Sequence, residues 1–133
     1  MKRTLLSLIL AVISTITLIG CATNEKALQD KGAVPLTQEQ LASMHSRMRT
    51  MQWETERGSG TAVYNLDGTA SVEWGSGSST GNWRVADGLL CTKWGPEVRG
   101  GAEACYTLYQ IGENTYKQFK SDGTYNSTTI YTN

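Results

Sequence analysis

The chain has 133 residues, with 12 lysines and arginines, 12 acidic residues and one histidine, so its formal net charge is zero. That balance excludes the basic electrostatic footprint of a nucleic-acid binder. The length suits one small domain.

The N-terminus reads MKRTLLSLILAVISTITLIGC. Lys2 and Arg3 precede an uncharged apolar run from Leu5 to Ile19, which is the pattern of a secretory signal. The run falls short of the ~20 apolar residues of a spanning helix, and no basic stop-transfer flank follows it. Leu18-Ile19-Gly20-Cys21 resembles the lipobox of bacterial lipoproteins. That resemblance implies cleavage before Cys21, a diacylglyceryl group on its sulfur and acylation of the new amine. Each buried methylene contributes ~0.8 kcal/mol, so two or three acyl chains hold a small domain on a membrane. Ala22 stands where enterobacterial lipoproteins retained at the inner membrane usually carry Asp. The expected address is therefore the periplasmic face of the outer membrane. Without Lys2 and Arg3, ten basic and twelve acidic residues leave a mature charge of −2.

Residues from Ala22 to Pro35 are polar and unpatterned and read as a tether. The predicted organisation is a signal peptide over 1–20, a lipidated tether over 21–35 and a single helix-plus-β domain over 36–133. Thr37 and Gln40 fit a capping box, with Leu36 and Leu41 at the positions of a hydrophobic staple. Leu41, Met44 and Met48 recur at helical spacing, which predicts one short helix near Gln38 to Arg47. His45 falls beside that stripe, as a partly exposed helix residue.

The apolar period then switches to two. Strands are predicted over Thr50–Arg57, Gly60–Leu66, Thr69–Trp74, Gly81–Val85, Leu89–Trp94, Ala104–Gln110, Thr115–Lys120 and Tyr125–Tyr131. Asp67-Gly68, Asp87-Gly88 and Asp122-Gly123 mark hairpins, since glycine takes the positive φ that twisted turns need. The fold class expected is mainly β: an antiparallel meander of about eight strands, closing as a small barrel or sandwich, with one short N-terminal helix. Tyr64-x-x-Asp67-Gly68-Thr69 and Phe119-x-x-Asp122-Gly123-Thr124 share one pattern, which reads as a single hairpin solution used twice.

With Cys21 committed to lipid, Cys91 and Cys105 remain as a pair in an oxidising compartment, where a disulfide is the default. A loop of about fifteen residues makes such a bond worth ~3 kcal/mol in the chain-entropy model. Two cysteines and the distant His45 do not meet the ligand count or spacing of a zinc site, so neither metal nor other cofactor is expected. Pairing Leu89–Trp94 antiparallel to Ala102–Gln110 sets Cys91 opposite Cys105, Leu90 opposite Tyr106, Lys93 opposite Glu103 and Trp94 opposite Ala102 in one register.

The pattern G-x-W-R-V…D-G-L-L-C-x-x-W…R-G-G-x-E-x-C-Y, from Gly81 to Tyr106, resembles a family of small secreted bacterial domains of unknown function. The likeness runs over nearly the whole chain from Leu36 onward. It implies a compact, loosely lipocalin-like β-domain of the cell envelope and assigns no activity.

No catalytic constellation stands out. Gly75 to Gly81 lacks the lysine and following helix of a phosphate loop and reads as a flexible connection. Glu54 and Glu56 alternate on one strand as a solvated face does. A hydrolytic triad would need the lone His45, and no G-x-S-x-G elbow exists. The protein is therefore expected not to be an enzyme.

Two kinds of binding remain. Trp53, Trp74, Trp83 and Trp94 at a barrel mouth suit a small apolar molecule or an envelope glycan. The plainer expectation is that Trp83 and Trp94 fill a core only wide enough for side chains. Glu97, Val98 and Arg99, in a loop braced by Cys91 and Cys105, form a candidate partner-binding loop presenting Arg99 to an envelope protein or secreted hydrolase, against the simpler alternative of an ordinary hairpin connection. The expected function is a non-enzymatic interaction module, lipid-anchored at the periplasmic membrane face. Small-molecule or glycan carriage and hydrolase inhibition are the alternatives.

Overall fold

Alternation of large and small side chains along eight short segments builds one sheet that closes on itself. A computed structural model describes residues 24–133; the signal and Cys21 lie outside the described residues. The strands are β1 (Arg49–Thr55), β2 (Gly58–Tyr64), β3 (Thr69–Trp74), β4 (Gly77–Ala86), β5 (Leu89–Lys93), β6 (Ala104–Gly112), β7 (Thr115–Phe119) and β8 (Tyr125–Tyr131). Each pairs antiparallel with the next, and β8 pairs with β1, giving a closed barrel. Closure leaves no unpaired sheet edge. The eight-stranded meander expected from the sequence is present, and it closes as a barrel rather than a sandwich.

The hairpins follow their turn residues. Asp87 and Gly88 both take left-handed φ, 55° and 72°, as a two-residue type I′ turn requires. At the shared pattern, Asp67 Oδ1 accepts from Thr69 N at 2.9 Å and Thr69 Oγ1 at 2.6 Å. Asp122 accepts from Thr124 N at 2.9 Å and Thr124 Oγ1 at 2.7 Å. The same turn is built twice.

Gly75 to Gly81 is not a flexible connection. β4 already begins at Gly77, which pairs with Trp74, and only Gly75 and Ser76 are left to turn the chain. Glycine has poor strand propensity alone; here Gly77 pairs with Trp74, whose ring lies over it.

Two helices accompany the barrel. α2 (Gln38–Met44) has the expected capping box, with Gln40 N donating to Thr37 Oγ1 at 3.2 Å and Thr37 N to Gln40 Oε1 at 2.9 Å. It stops at Met44, so Met48 lies beyond it and is half exposed rather than on its apolar stripe. Leu41 is fully buried, and Gln38 receives the Gly88 N–H at 2.7 Å, tying α2 across the β4–β5 turn. That end of the barrel is plugged.

α1 (Glu25–Asp30) falls in the stretch read as an unpatterned tether. Asn24 caps it, accepting from Ala27 N at 2.9 Å. The helix docks on the outer face of the sheet: the buried Tyr109 hydroxyl donates to Glu25 Oε1 at 2.7 Å and accepts from Gln29 Nε2 at 3.0 Å. A segment this short has little intrinsic helicity; the contacts with Tyr109 hold it.

Cys91 and Cys105 form a disulfide between directly opposed residues, with Leu90 facing Tyr106 as expected. The ladder ends one pair further on, at Thr92–Ala104. Lys93–Glu103 and Trp94–Ala102 are therefore not ladder pairs, although the pKa of Glu103, lowered first by its bond to Arg84, is lowered further by the Lys93 charge. Glu103 instead holds Arg84 through two bonds, Nη2–Oε1 at 2.6 Å and Nε–Oε2 at 3.0 Å. A planar guanidinium matches a carboxylate in a way that a lysine cannot.

Candidate binding cavity

The barrel interior divides into a half packed with side chains and a half that encloses a cavity. In the packed half, below α2, His45 sits at the helix C-cap and is buried. Its ring centroid lies 5.2 Å from Trp83 and 5.7 Å from both Tyr64 and Tyr131. Trp83 donates its indole N–H to the Asn65 carbonyl at 2.7 Å and stacks on Tyr64 at 5.9 Å. The expectation of a partly exposed His45 is thus corrected. The chain turns at Met44 and swings the imidazole inward, where an aromatic cage and two hydrogen bonds replace water. Burial holds its pKa below the usual value, opposed by its bond to the Leu41 backbone and reinforced by the nearby Arg49 charge.

Above Tyr64 the interior opens into a cavity of about 470 Å³. Trp83 and Trp94 both pack against the core as expected, but the core is not filled, and Trp94 also borders the cavity. Trp94 lines the cavity with Trp53, Trp74 and Tyr64. Space exists because glycines stand opposite the large rings. Gly60 pairs with Trp53 on one side and Trp74 on the other. A Cβ on Gly60 would lie 2.6 Å from the Trp53 ring, and one on Gly77 would lie 2.7 Å from Trp74. Ala62 and Val72 continue this arc of β1–β3 with small or branched side chains.

The arc that follows, joined to β1 through β8, is polar. β7 and β8 contribute Gln118, Asn126, Ser127 and Thr129. Thr129 is 2% exposed, and its Oγ1 has no hydrogen-bond partner among the described residues. Most buried hydroxyls are paired, so this one stands out.

The β5–β6 loop leans over the opening. Glu97, Val98 and Arg99 all line the cavity. Arg99, Gly100 and Gly101 take φ of 51°, 64° and 79° in succession, which folds the loop back. Arg99 Nη1 donates to the Tyr106 hydroxyl, and Nη2 to Thr92 Oγ1 at 3.4 Å. The loop read as projecting Arg99 outward thus aims its guanidinium at the barrel interior. Burial raises the pKa of Tyr106, partly offset by Arg99.

Other chemistry is dispersed. Glu54 and Glu56 are exposed and outside the cavity. Cys91, Glu103 and Cys105 cluster, but the two sulfurs are spent in a disulfide and do not ligate. Trp53 and Trp74, grouped at a barrel mouth from the sequence, both line the cavity; Thr129 and Gln118 were not singled out there. The small residues that leave the space alternate inward as Gly60 and Ala62 on β2 and as Gly77 and Ser79 on β4.

Fold and cavity together define a closed antiparallel β-barrel with a pocket of ligand size at one end, within the 300–1,000 Å³ typical of small-molecule sites. No family model, curated protein or solved structure matches the chain.

Proposed function

We propose that this protein is a lipid-anchored bacterial envelope protein whose barrel binds a small molecule without turning it over. The cavity carries this reading: an aromatic-lined space of about 470 Å³ left unfilled by side chains is costly to maintain in a barrel that side chains can fill. The small-ligand alternative is thereby preferred to a protein-binding loop, because Arg99 faces the cavity.

The anchor rests on Leu18 to Cys21 and their likeness to a lipobox. The start of the described chain adds an orientation. Asn24 bridges to Thr124, and Glu25 N donates to the Gly123 carbonyl at 2.9 Å. Both partners lie in the β7–β8 turn, at the same end as the cavity opening. Two residues, Ala22 and Thr23, lie between Cys21 and Asn24, a reach of about 10 Å over three peptide steps. A lipid on Cys21 therefore holds the opening toward the membrane surface.

The test has two arms. Labelled palmitate should enter the wild-type chain and not Cys21→Ala. Native mass spectrometry of protein extracted from its own membrane should show one bound small molecule per chain. Absence of label overturns the anchor; a bare mass overturns the ligand.

A further inference from the structure

The two walls of the cavity are chemically unlike. β1–β3 offer the rings of Trp53 and Trp74, while β7 and β8 offer Gln118, Asn126 and Thr129. β3 and β7 stand four strands apart in a closed sheet of eight, so Trp74 faces Gln118 across the cavity, while β8 pairs with β1 and sets Thr129 directly beside Trp53. An acyl chain would satisfy the first wall and leave the amides and hydroxyls of the second without partners. A ring with apolar faces and a hydroxyl- or amide-bearing edge satisfies both.

Two features at this cavity work against the fold's own stability. Thr129 Oγ1 is buried without a partner among the described residues. Arg99 holds a left-handed φ of 51°, a conformation costly for a residue with a Cβ. Glu97 shares the loop, but Arg99 spends its guanidinium on the hydroxyls of Tyr106 and Thr92. The ion pairs of the described residues are Lys26–Asp30 and Arg84–Glu103. A hydroxyl and a cation, each held at a cost and both aimed into one space, mark positions kept for something that binds there.

Building on the ligand-binding reading above, we propose that the cavity takes a saccharide of one or two rings carrying an acidic substituent. Trp53 and Trp74 pack against the ring faces. Gln118, Asn126 and Thr129 bond its hydroxyl or amide edge, and Arg99 receives the acid.

The test uses the full-length protein in lipid nanodiscs, titrated by calorimetry and by tryptophan emission. The probes are N-acetylmuramic acid, N-acetylglucosamine, which has the same ring without the lactyl acid, and palmitate. The acidic sugar should bind about tenfold more tightly than the neutral one, as a charge-assisted contact predicts. Thr129→Val and Arg99→Gly should each weaken it by about tenfold while melting within a few degrees of wild type, since one removes an orphan hydroxyl and the other relieves a strained φ. Binding of palmitate in place of either sugar overturns the ligand class and leaves the cavity as a binding site. Equal binding of the two sugars overturns the role of Arg99. Failure of both sugars to bind overturns the saccharide assignment. Sugar binding unaffected by either variant overturns the cavity as the sugar's site, whereas the proposed function falls only to a bare mass in the native extract.

Discussion

His45 Nε2 lies 3.0 Å from the Tyr131 hydroxyl, while Nδ1 lies 2.9 Å from the Leu41 carbonyl. A carbonyl only accepts, so the proton sits on Nδ1 and Nε2 accepts from Tyr131. One neutral imidazole thereby joins α2 to β8 and forms the floor on which the cavity stands.

That tautomer gives stability a pH dependence. The folded pKa of His45 lies below 6.5 because of burial, so over the interval between them the unfolded chain binds a proton that the native chain does not. Stability from this group is complete above the unfolded value and falls as pH drops below it. Urea midpoints should decline between about pH 7 and about pH 5, and His45→Phe should flatten that decline. An equal slope in wild type and variant would show that His45 is not the titrating group. Asp67 and Asp122 have pKa values lowered by their threonine bonds, so their losses begin at more acid pH.

Tyr131→Phe removes the donor to Nε2 and leaves a buried acceptor without a partner. A loss of about 1–2 kcal/mol is expected from equilibrium denaturation. The same change at Tyr125, whose hydroxyl meets Thr128 Oγ1 at 2.8 Å nearer the surface, should cost less.

The Cys91–Cys105 bond joins residues 14 apart. Its removal in a Cys91→Ser, Cys105→Ser double variant should lower stability by about 3 kcal/mol. Circular dichroism should retain the strand signal, because the neighbouring pairs Leu90–Tyr106 and Thr92–Ala104 keep the register.

Glycine's role is positional. Gly60→Ala drives a Cβ into the Glu73 carbonyl and the Trp53 ring, and should destabilise by about 1–3 kcal/mol. Gly58, with no atom near its missing Cβ, provides the control: Gly58→Ala should shift the melting temperature little.

Much of the fold was legible because period-two alternation and Asp-Gly turns are local. Thr69–Trp74 and Tyr125–Tyr131 appear with the bounds the pattern predicts, and one register places Cys91 on Cys105 and Leu90 on Tyr106. What was hidden depends on partners distant in sequence. Glu103 chooses Arg84 over Lys93, His45 turns inward to meet Tyr131, and residues 25–30 become helical against Tyr109. The cavity was hidden differently. It follows from the summed volume of inward side chains, and Gly60, Ala62, Gly77 and Ser79 leave that sum short only once the barrel is known to close.

Whether the space above Tyr64 binds a ligand is tested most directly at Ala62. Ala62 is 4% exposed and lines it between Met51 and Val72. Ala62→Phe fills part of that space without touching Arg99 or the anchor. Native mass spectrometry should therefore find a bound molecule on the wild-type protein extracted from its membrane, and a bare mass for Ala62→Phe prepared identically. The same bound mass on both proteins would place the ligand elsewhere, and a bare mass on both would contradict the account.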